Sequence, residues 1–322
     1  MRTYPRLSVV ILNHNGFQHT RECLESIRRA SYKPLSVIVV DSASTDDSVK
    51  KLKDVLCQEE LIELSVNGGY TYGNNIAIEY SFKNKAEYAL ILNNDTVMDK
   101  NCIESLVEAV LSDPAIGIIG PKVLYYSRPE IISFAGITGC IHSASYTRIG
   151  LNEKDTGQYD NLVDTLYQDG CALLITKACY ERIGGFDELL WTYSEESDLC
   201  MRARLGGFRV CCLQKSKIWH KVSGTLGTYY ERKPQAVYYG VRNSYIFHRR
   251  YAGSCFNRIM VVLILLSRKP REIASIMFKA KKTRLKNLWM LIIATLVGII
   301  TNIRQPSDAF APVKAVRRNL SY

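Results

Sequence analysis

Residues Tyr88 to Asp99 read YALILNNDTVMD. The first half, Ala89-Leu90-Ile91-Leu92, lacks polar alternation, the pattern of a strand covered on both faces. It then breaks into Asn93-Asn94-Asp95-Thr96 before a further helical pattern. Asn, Asp and Thr favour turns and helix caps, so a plain turn is one reading. A ligand site is the other, because open α/β sheets bind ligands at the carboxyl ends of their strands. The surrounding chain decides between them.

Similar apolar runs precede it: LSVVIL (7–12), LSVIVV (35–40) and LIELSV (61–66). Helical patterns lie between and after them, around 17–30, 44–57, 72–83 and 100–112. The second is expected to start on Ser44 or Thr45 as cap, with Asp46 and Asp47 in its first turn. Strands alternating with helices predict an α/β fold: a mostly parallel sheet, right-handed crossovers and helices on both faces. From about 121 to 165 the sequence turns rich in Tyr, Ser, Gly and Thr, and hairpins with a mobile loop are expected there. Regularity returns with GCALLITKACYERIGGFDE (170–188) and a helix near 194–205.

The chain has 322 residues, of which 47% are hydrophobic and 23% charged, a folded composition rather than a disordered one. Its net charge of +11 calls for an anionic partner: nucleic acid, a phosphorylated small molecule or an acidic membrane. Ten cysteines without a CxxC pair argue against a zinc site or disulfide framework and for reduced thiols. The apolar run 7–12 is too short for a signal peptide, and none is expected.

The C-terminal part differs in kind. Arg268, Lys269, Arg271, Lys279, Lys281, Lys282, Arg284 and Lys286 lie between the apolar runs IMVVLILL (259–266) and LWMLIIATLVGIITNI (288–303), against the single acid Glu272. The second run is shorter than the roughly 20 apolar residues of a comfortable bilayer span. Basic residues beside apolar helices predict a segment lying in an anionic membrane interface. A helical appendage packed on the rest of the chain, and a spanning helix, are the alternatives. Two parts follow: a catalytic domain over 1–250 and a basic, apolar helical region over 251–322.

The polar clusters LNHNG (12–16), DSASTDDS (41–48) and NNDT (93–96) each follow an apolar run, and NGGYTYGNN (67–75) supplies flexible backbone before a helix. In a parallel sheet these would converge on one edge. Asn13, Asn15, Asp41, Asn67, Gly69, Asn74 and Asn94 are therefore candidate ligand-binding residues. Neither GxxxxGK[ST] nor GxGxxG occurs, so a nucleotide would be held differently. Asp41 can accept hydrogen bonds from a base or ribose. Asp95 can join substrate oxygens in coordinating a hard divalent cation.

With these motifs in view, the sequence resembles a family-2 glycosyltransferase of the GT-A fold. SVVILNHNG, VIVVDSASTDDS, NGGYTYGNN, LILNNDTVMD, IGGFDELLWTYSEESDLCMRARLGGFRV and WHKVSG carry the resemblance in consistent order over residues 7 to 250. It implies inverting sugar transfer from a nucleotide-diphosphate sugar. YYGVRNSY (238–245) adds a likeness to bacterial rhamnosyltransferases of surface polysaccharide assembly. A dTDP- or UDP-sugar donor, a lipid-linked glycan acceptor and a position on the cytoplasmic face of the membrane are thereby implied; nucleic acid is not, and an oligomer is compatible.

Within that resemblance, Asp41 matches the carboxylate that contacts the nucleotide base. Asp95 matches the last member of the metal-binding DxD element, with Asn93 at its first position; Mg2+ or Mn2+ is implied, held more weakly by an amide than by a carboxylate. Glu196 matches the general base of a Glu-Asp-x-Asp pattern, read here as Glu195-Glu196-Ser197-Asp198, and the assignment among Glu195, Glu196 and Asp198 is open. His220 matches a histidine near the diphosphate or metal. Arg242, with Asn243, is a candidate for facing the donor diphosphate. Plainer readings stand beside these: acids at a helix start capped by Ser194, a core histidine beside Trp219, and a solvated helix face for Arg242. A nucleotidyltransferase and a catalytically silent nucleic-acid-binding protein are the rival functions.

Overall fold

The computed structural model describes residues 4–221, 233–279 and 283–303. The first half alternates as the sequence requires: β1 (Leu7–Asn13), α1 (Phe17–Arg28), β2 (Leu35–Ser42), α2 (Ser48–Val55), β3 (Glu60–Leu64), α3 (Gly69–Lys83), β4 (Tyr88–Asn93) and, after a short β5 (Thr96–Met98), α4 (Cys102–Ser112). Then come β6 (Ile116–Tyr125), β7 (Arg128–Phe134), β8 (Ile137–Cys140), β9 (Ser145–Arg148), β10 (Leu162–Asp164), β11 (Ala172–Thr176), α5 (Lys177–Ile183), α6 (Glu195–Leu205) and β12 (Arg209–His220).

The main sheet runs β10-β12-β6-β11-β4-β1-β2-β3. β3, β2, β1, β4, β6 and β12 point the same way, and β11 and β10 the other. Alternate residues of the apolar strands serve opposite layers. Val9, Ile11, Leu90 and Leu92 pack with Leu24, Ile27, Leu52, Ile103 and Leu106 on one face. Ala89, Ile91, Leu173 and Ile175 pack with Ile78, Phe82, Ile183 and Leu199 on the other. Both sets are apolar, so the strands show no alternation.

Some boundaries differ from the expected ones. α2 begins at Ser48 after Asp47, not on Ser44 or Thr45. The Ser44 hydroxyl is taken by Asp41 instead, at 2.6 Å. The segment 121–165 forms strands and hairpins, as expected, and the loop after β9 is tied down. Lys122, fully buried, donates to Asp155 Oδ1 at 2.8 Å and to the Tyr159 carbonyl at 2.7 Å.

A helical unit follows: α7 (Pro234–Tyr251), α8 (Cys255–Ser267), α9 (Lys269–Lys279) and α10 (Arg284–Ile300). Val237, Val241 and Tyr245 of α7 share a core with Val261, Leu265, Ile276, Leu291 and Ala294. α7, placed by the sequence boundary at 250 in the catalytic part, thus packs with the helices beyond it. Its far end still grips the sheet layers, where Arg250 and Tyr251 meet Asp198. No helix among the described residues is long and apolar enough to cross a membrane. Lys281 and Lys282, and Val222 to Gly224 of WHKVSG, lie outside the described residues.

Candidate active site

The strand ends meet along one edge. Asn13 pairs in register with Asp41 of β2, and Leu12 with Asn93 of β4. A chain of hydrogen bonds crosses them: the Asn94 amide donates to Thr20 Oγ1 (3.0 Å), Thr20 to Asn13 Oδ1 (2.7 Å), and Asn13 Nδ2 to Asp41 Oδ2 (2.7 Å). Asn13 and Asp41 are both buried, and Asn13 spends its amide N–H on holding Asp41 and its carbonyl oxygen on Thr20. Asp41 Oδ1 accepts the Ser44 N–H at 2.8 Å. The carboxylate thus retains acceptor capacity beyond its three protein donors.

Asn15, in the left-handed region at φ 51°, accepts the Thr45 N–H at 2.8 Å and ties the first two loops together. Asn67 Oδ1 accepts the Gly69 N–H at 2.9 Å and opens α3. Gly69 makes room for Trp191: a Cβ there would stand 2.5 Å from the indole, which accounts for the glycine without a phosphate. Asn74 donates to the Tyr70 carbonyl at 2.8 Å, and its buried Oδ1 has no partner among the described residues.

Asp95 lies just beyond β4, beside His220. The pairing of β5 with β12, Thr96 opposite His220, brings them together, and His220 Nε2 donates to Asp95 Oδ1 at 3.0 Å. Burial works to raise the Asp95 pKa, but the hydrogen bond and charge of His220 outweigh it, leaving the group below its ordinary value. An ionised carboxylate and an imidazole, both partly exposed, suit a divalent cation whose other ligands come from a phosphorylated substrate. No cluster of three or more acidic, His or Cys side chains able to hold a metal by itself occurs among the described residues.

Glu196 approaches from the other direction. β11 runs antiparallel to β4, and the Asn93 N–H donates to the Cys171 carbonyl at 2.9 Å, so Gly170 stands at the same edge. The Glu196 side chain packs on Gly170, where a Cβ would sit 3.5 Å from its Cβ and Cγ. Burial and nearby Asp169 raise the Glu196 pKa to about 7, against the pull of the Ser197 hydroxyl and Arg148. Glu195 is buried next to it, its Oε2 without a hydrogen-bond partner among the described residues, and burial and the Glu196 charge push its pKa far up. A half-buried carboxyl poised near neutrality is suited to accepting a proton; its buried neighbour is suited to staying protonated.

The segment before α6 is unusual. Trp191, Tyr193 and Ser194 all occupy positive φ (60°, 69° and 66°), each costing on the order of 1–3 kcal/mol for a non-glycine residue. Ser194 stands at the helix start, but its side chain makes no capping bond. Asn243 holds the segment instead: its amide donates to the Leu190, Thr192 and Tyr193 carbonyls at 2.7, 2.8 and 2.7 Å. Trp191 lies between Gly69 and the stacked ring of Tyr239, 4.7 Å away.

Two expected site residues are spent elsewhere. Asp198 is fully buried and bonded to Arg202 Nε (2.8 Å), Arg250 and Tyr251, so it is a structural counter-charge rather than a base. Arg242 donates to the Leu189 carbonyl and to Asn243 Oδ1, with its guanidinium over Tyr238 and Tyr239. The sequence reading missed Asp169, Gly170, Tyr70 and Arg148 around Glu196. Asp169-Gly170 opens the apolar run 171–175, and that position was the available signal.

Residues 8–182 match the model of glycosyl transferase family 2, more than half of the chain. The protein is a family 2 glycosyltransferase. Its similarity extends to a low-salt glycan biosynthesis hexosyltransferase of Haloferax volcanii, 25% identical over 85% of this chain and 89% of that one. It also resembles an N-acetylglucosaminyl-diphospho-decaprenol L-rhamnosyltransferase of Mycobacterium tuberculosis, 22% identical over 69% and 78%. Among solved structures, a Pyrobaculum calidifontis mannosyltransferase in complex with GDP-Man and Mn2+ superposes with a TM-score of 0.53 at 16% identity, covering 92% of this chain and 86% of that one. GalNAc-T7 with UDP, GalNAc and Mn2+ gives 0.60 at 16% identity, covering 83% of this chain but 55% of that one. The fold is GT-A. The match decides for sugar transfer over nucleotidyl transfer or a catalytically silent protein.

Proposed function

We propose that this glycosyltransferase moves a hexose, rhamnose first among the candidates, from a dTDP- or UDP-sugar to a hydroxyl of a lipid-linked glycan in surface polysaccharide assembly. The observation that carries the reading is Glu196, half-buried against Gly170 on the sheet edge that also bears Asp41 and Asp95. Asp41 accepts from the nucleotide base. Asp95 and His220 would hold Mg2+ or Mn2+, which supplies Lewis-acid stabilisation of the departing diphosphate. Structural neighbours solved with UDP or GDP-Man and with Mn2+ support a nucleotide-sugar donor and a divalent cation.

Glu196 takes the proton of the acceptor hydroxyl as that oxygen bonds to the anomeric carbon. The bond from that carbon to the phosphate oxygen breaks, and the nucleoside diphosphate leaves with its electron pair. A single displacement of this kind inverts the anomeric centre. The lipid-linked acceptor is supported by the name of the mycobacterial relative.

In this reading the protein sits on the cytoplasmic face of the membrane, and the surface of α8–α10 supports a membrane contact. Phe256, Leu263, Phe278, Leu285, Trp289 and Ile300 are exposed there, Leu285 at 81%, and Arg271 and Lys286 are exposed among them. Monomeric proteins seldom leave so much apolar surface in water, and basic residues beside it suit anionic headgroups.

Thermal shift with a panel of nucleotide sugars, with and without Mg2+ or Mn2+, tests the donor assignment. A dTDP- or UDP-sugar is expected to stabilise the protein, and more so with the cation. Stabilisation by no nucleotide sugar would remove the proposed donor site.

A further inference from the structure

We propose that Arg148, at the root of the β8–β9 hairpin, is a phosphate-binding residue that receives the phosphate of the lipid-linked acceptor. This rests on the acceptor class proposed above and adds the group that recognises it.

The hairpin is fixed on both sides. At its root Arg148 pairs with Ile137, whose N–H donates to Thr165 Oγ1 at 2.8 Å and whose carbonyl accepts the Leu166 N–H at 2.9 Å. The chain from there leads through Tyr167 and Asp169 to Gly170, against which Glu196 packs. Tyr146 and Arg148, two residues apart on β9, share one face. On that face the Tyr146 ring meets Tyr167 at 5.9 Å, and its hydroxyl meets His248 Nε2 at 2.7 Å. Arg148 therefore stands on the side of the hairpin that borders the proton acceptor, and its charge acts on Glu196 and Tyr167.

Arg148 is exposed and makes no hydrogen bond or ion pair among the described residues, although Asp169 and Glu196 are close enough to act electrostatically on each other. A guanidinium left free in such a place has its full fork available for a phosphate.

At its other end the hairpin joins the helical unit. Arg268 donates to the Ser143 and Ala144 carbonyls at 3.2 and 3.0 Å, and Ala144 packs into the core of α7, α8 and α10. A glycan carried on a lipid phosphate has three parts in fixed order: sugar, phosphate, lipid. The hairpin offers the same order, with Glu196 beside its root, Arg148 at the root, and the exposed apolar helices beyond its turn.

A phosphate could also belong to the donor, and the test separates the two sources. Wild type, Arg148→Gln and Arg148→Lys are compared on two acceptors bearing the same sugar, one linked to a short lipid through diphosphate and one a plain alkyl glycoside. Arg148→Gln is expected to cut the ratio of kcat/KM for the diphosphate acceptor over the glycoside by about tenfold or more, the scale of one charged hydrogen bond. Lys should restore part of it, and the KM for nucleotide sugar should not follow the ratio. An unchanged ratio, or a loss confined to the nucleotide-sugar KM, overturns the proposal. Direct binding of the diphosphate lipid without donor keeps the two readings apart. Arg148-dependent binding without transfer would fail the sugar-transfer reading alone, and binding indifferent to Arg148 would fail this one.

Discussion

Glu195 and Glu196 are neighbours in sequence with different surroundings, and this difference is what the chemistry uses. Both are more readily protonated in the folded chain than their ordinary value of 4.5. The stability they lend is therefore complete below about pH 4.5 and is lost as pH rises through and beyond about 7. Glu195→Gln replaces a buried acid by a neutral isostere. Its melting temperature relative to wild type is expected to climb between pH 5 and pH 9, and a difference independent of pH would contradict a protonated Glu195. Activity has the opposite sense, because the base works deprotonated: turnover should rise with pH through about 7 and then level off. From sequence alone the three acids of 195–198 were indistinguishable. Burial separates them: Asp198 is neutralised by Arg202, one helical turn away, and by Arg250, which only the fold brings to it.

At the scale of elements, strand ends were legible and their partners were not. LSVVIL, LSVIVV and YALILN are strands because their residues suit both layers of the core, and the polar clusters after them do converge. Nothing in NNDT tells that Thr96 starts a strand antiparallel to one 120 residues on, yet this pairing sets His220 on Asp95. The strained 191–194 segment is similar: its clamp, Asn243, belongs to YYGVRNSY and looks like a helix-face residue until the fold is known. Asn243→Ala removes the side-chain donor shared by the Thr192 and Tyr193 carbonyls, while the Leu190 carbonyl keeps the Thr192 N–H, and should destabilise the protein by about 2–4 kcal/mol. Because the segment positions Glu196 rather than the donor, kcat should fall well beyond any change in nucleotide-sugar KM. Equal losses in both would mean that the segment shapes the donor site.

Over the whole molecule, an α/β catalytic body carries a helical unit whose outer surface is apolar and basic. The alternation of the first half announced the parallel sheet. The second half was harder, because β6, β11 and β12 interleave across the sheet in an order unrelated to their order in the chain. The basic C-terminal composition was plain in the sequence, whereas the residues left outside the core became visible only in the packed helices. On α10 these fall at Leu285, Trp289, Ile292, Leu296 and Ile300, one face of the helix. In flotation, the protein should bind vesicles containing phosphatidylglycerol and largely leave them at high salt or when the lipid is phosphatidylcholine alone. Leu285→Glu with Trp289→Glu should abolish binding without lowering the melting temperature, and vesicle binding that survives both changes would place the contact elsewhere.

The central claim is that Glu196, on the edge shared with Asp41 and Asp95, removes the acceptor proton. The most direct test is single-turnover transfer by Glu196→Gln at saturating donor, with donor affinity measured on the same protein. Transfer is expected to fall by about 10²–10⁴-fold while donor affinity stays within a few-fold of wild type. Transfer at the wild-type rate would contradict the claim.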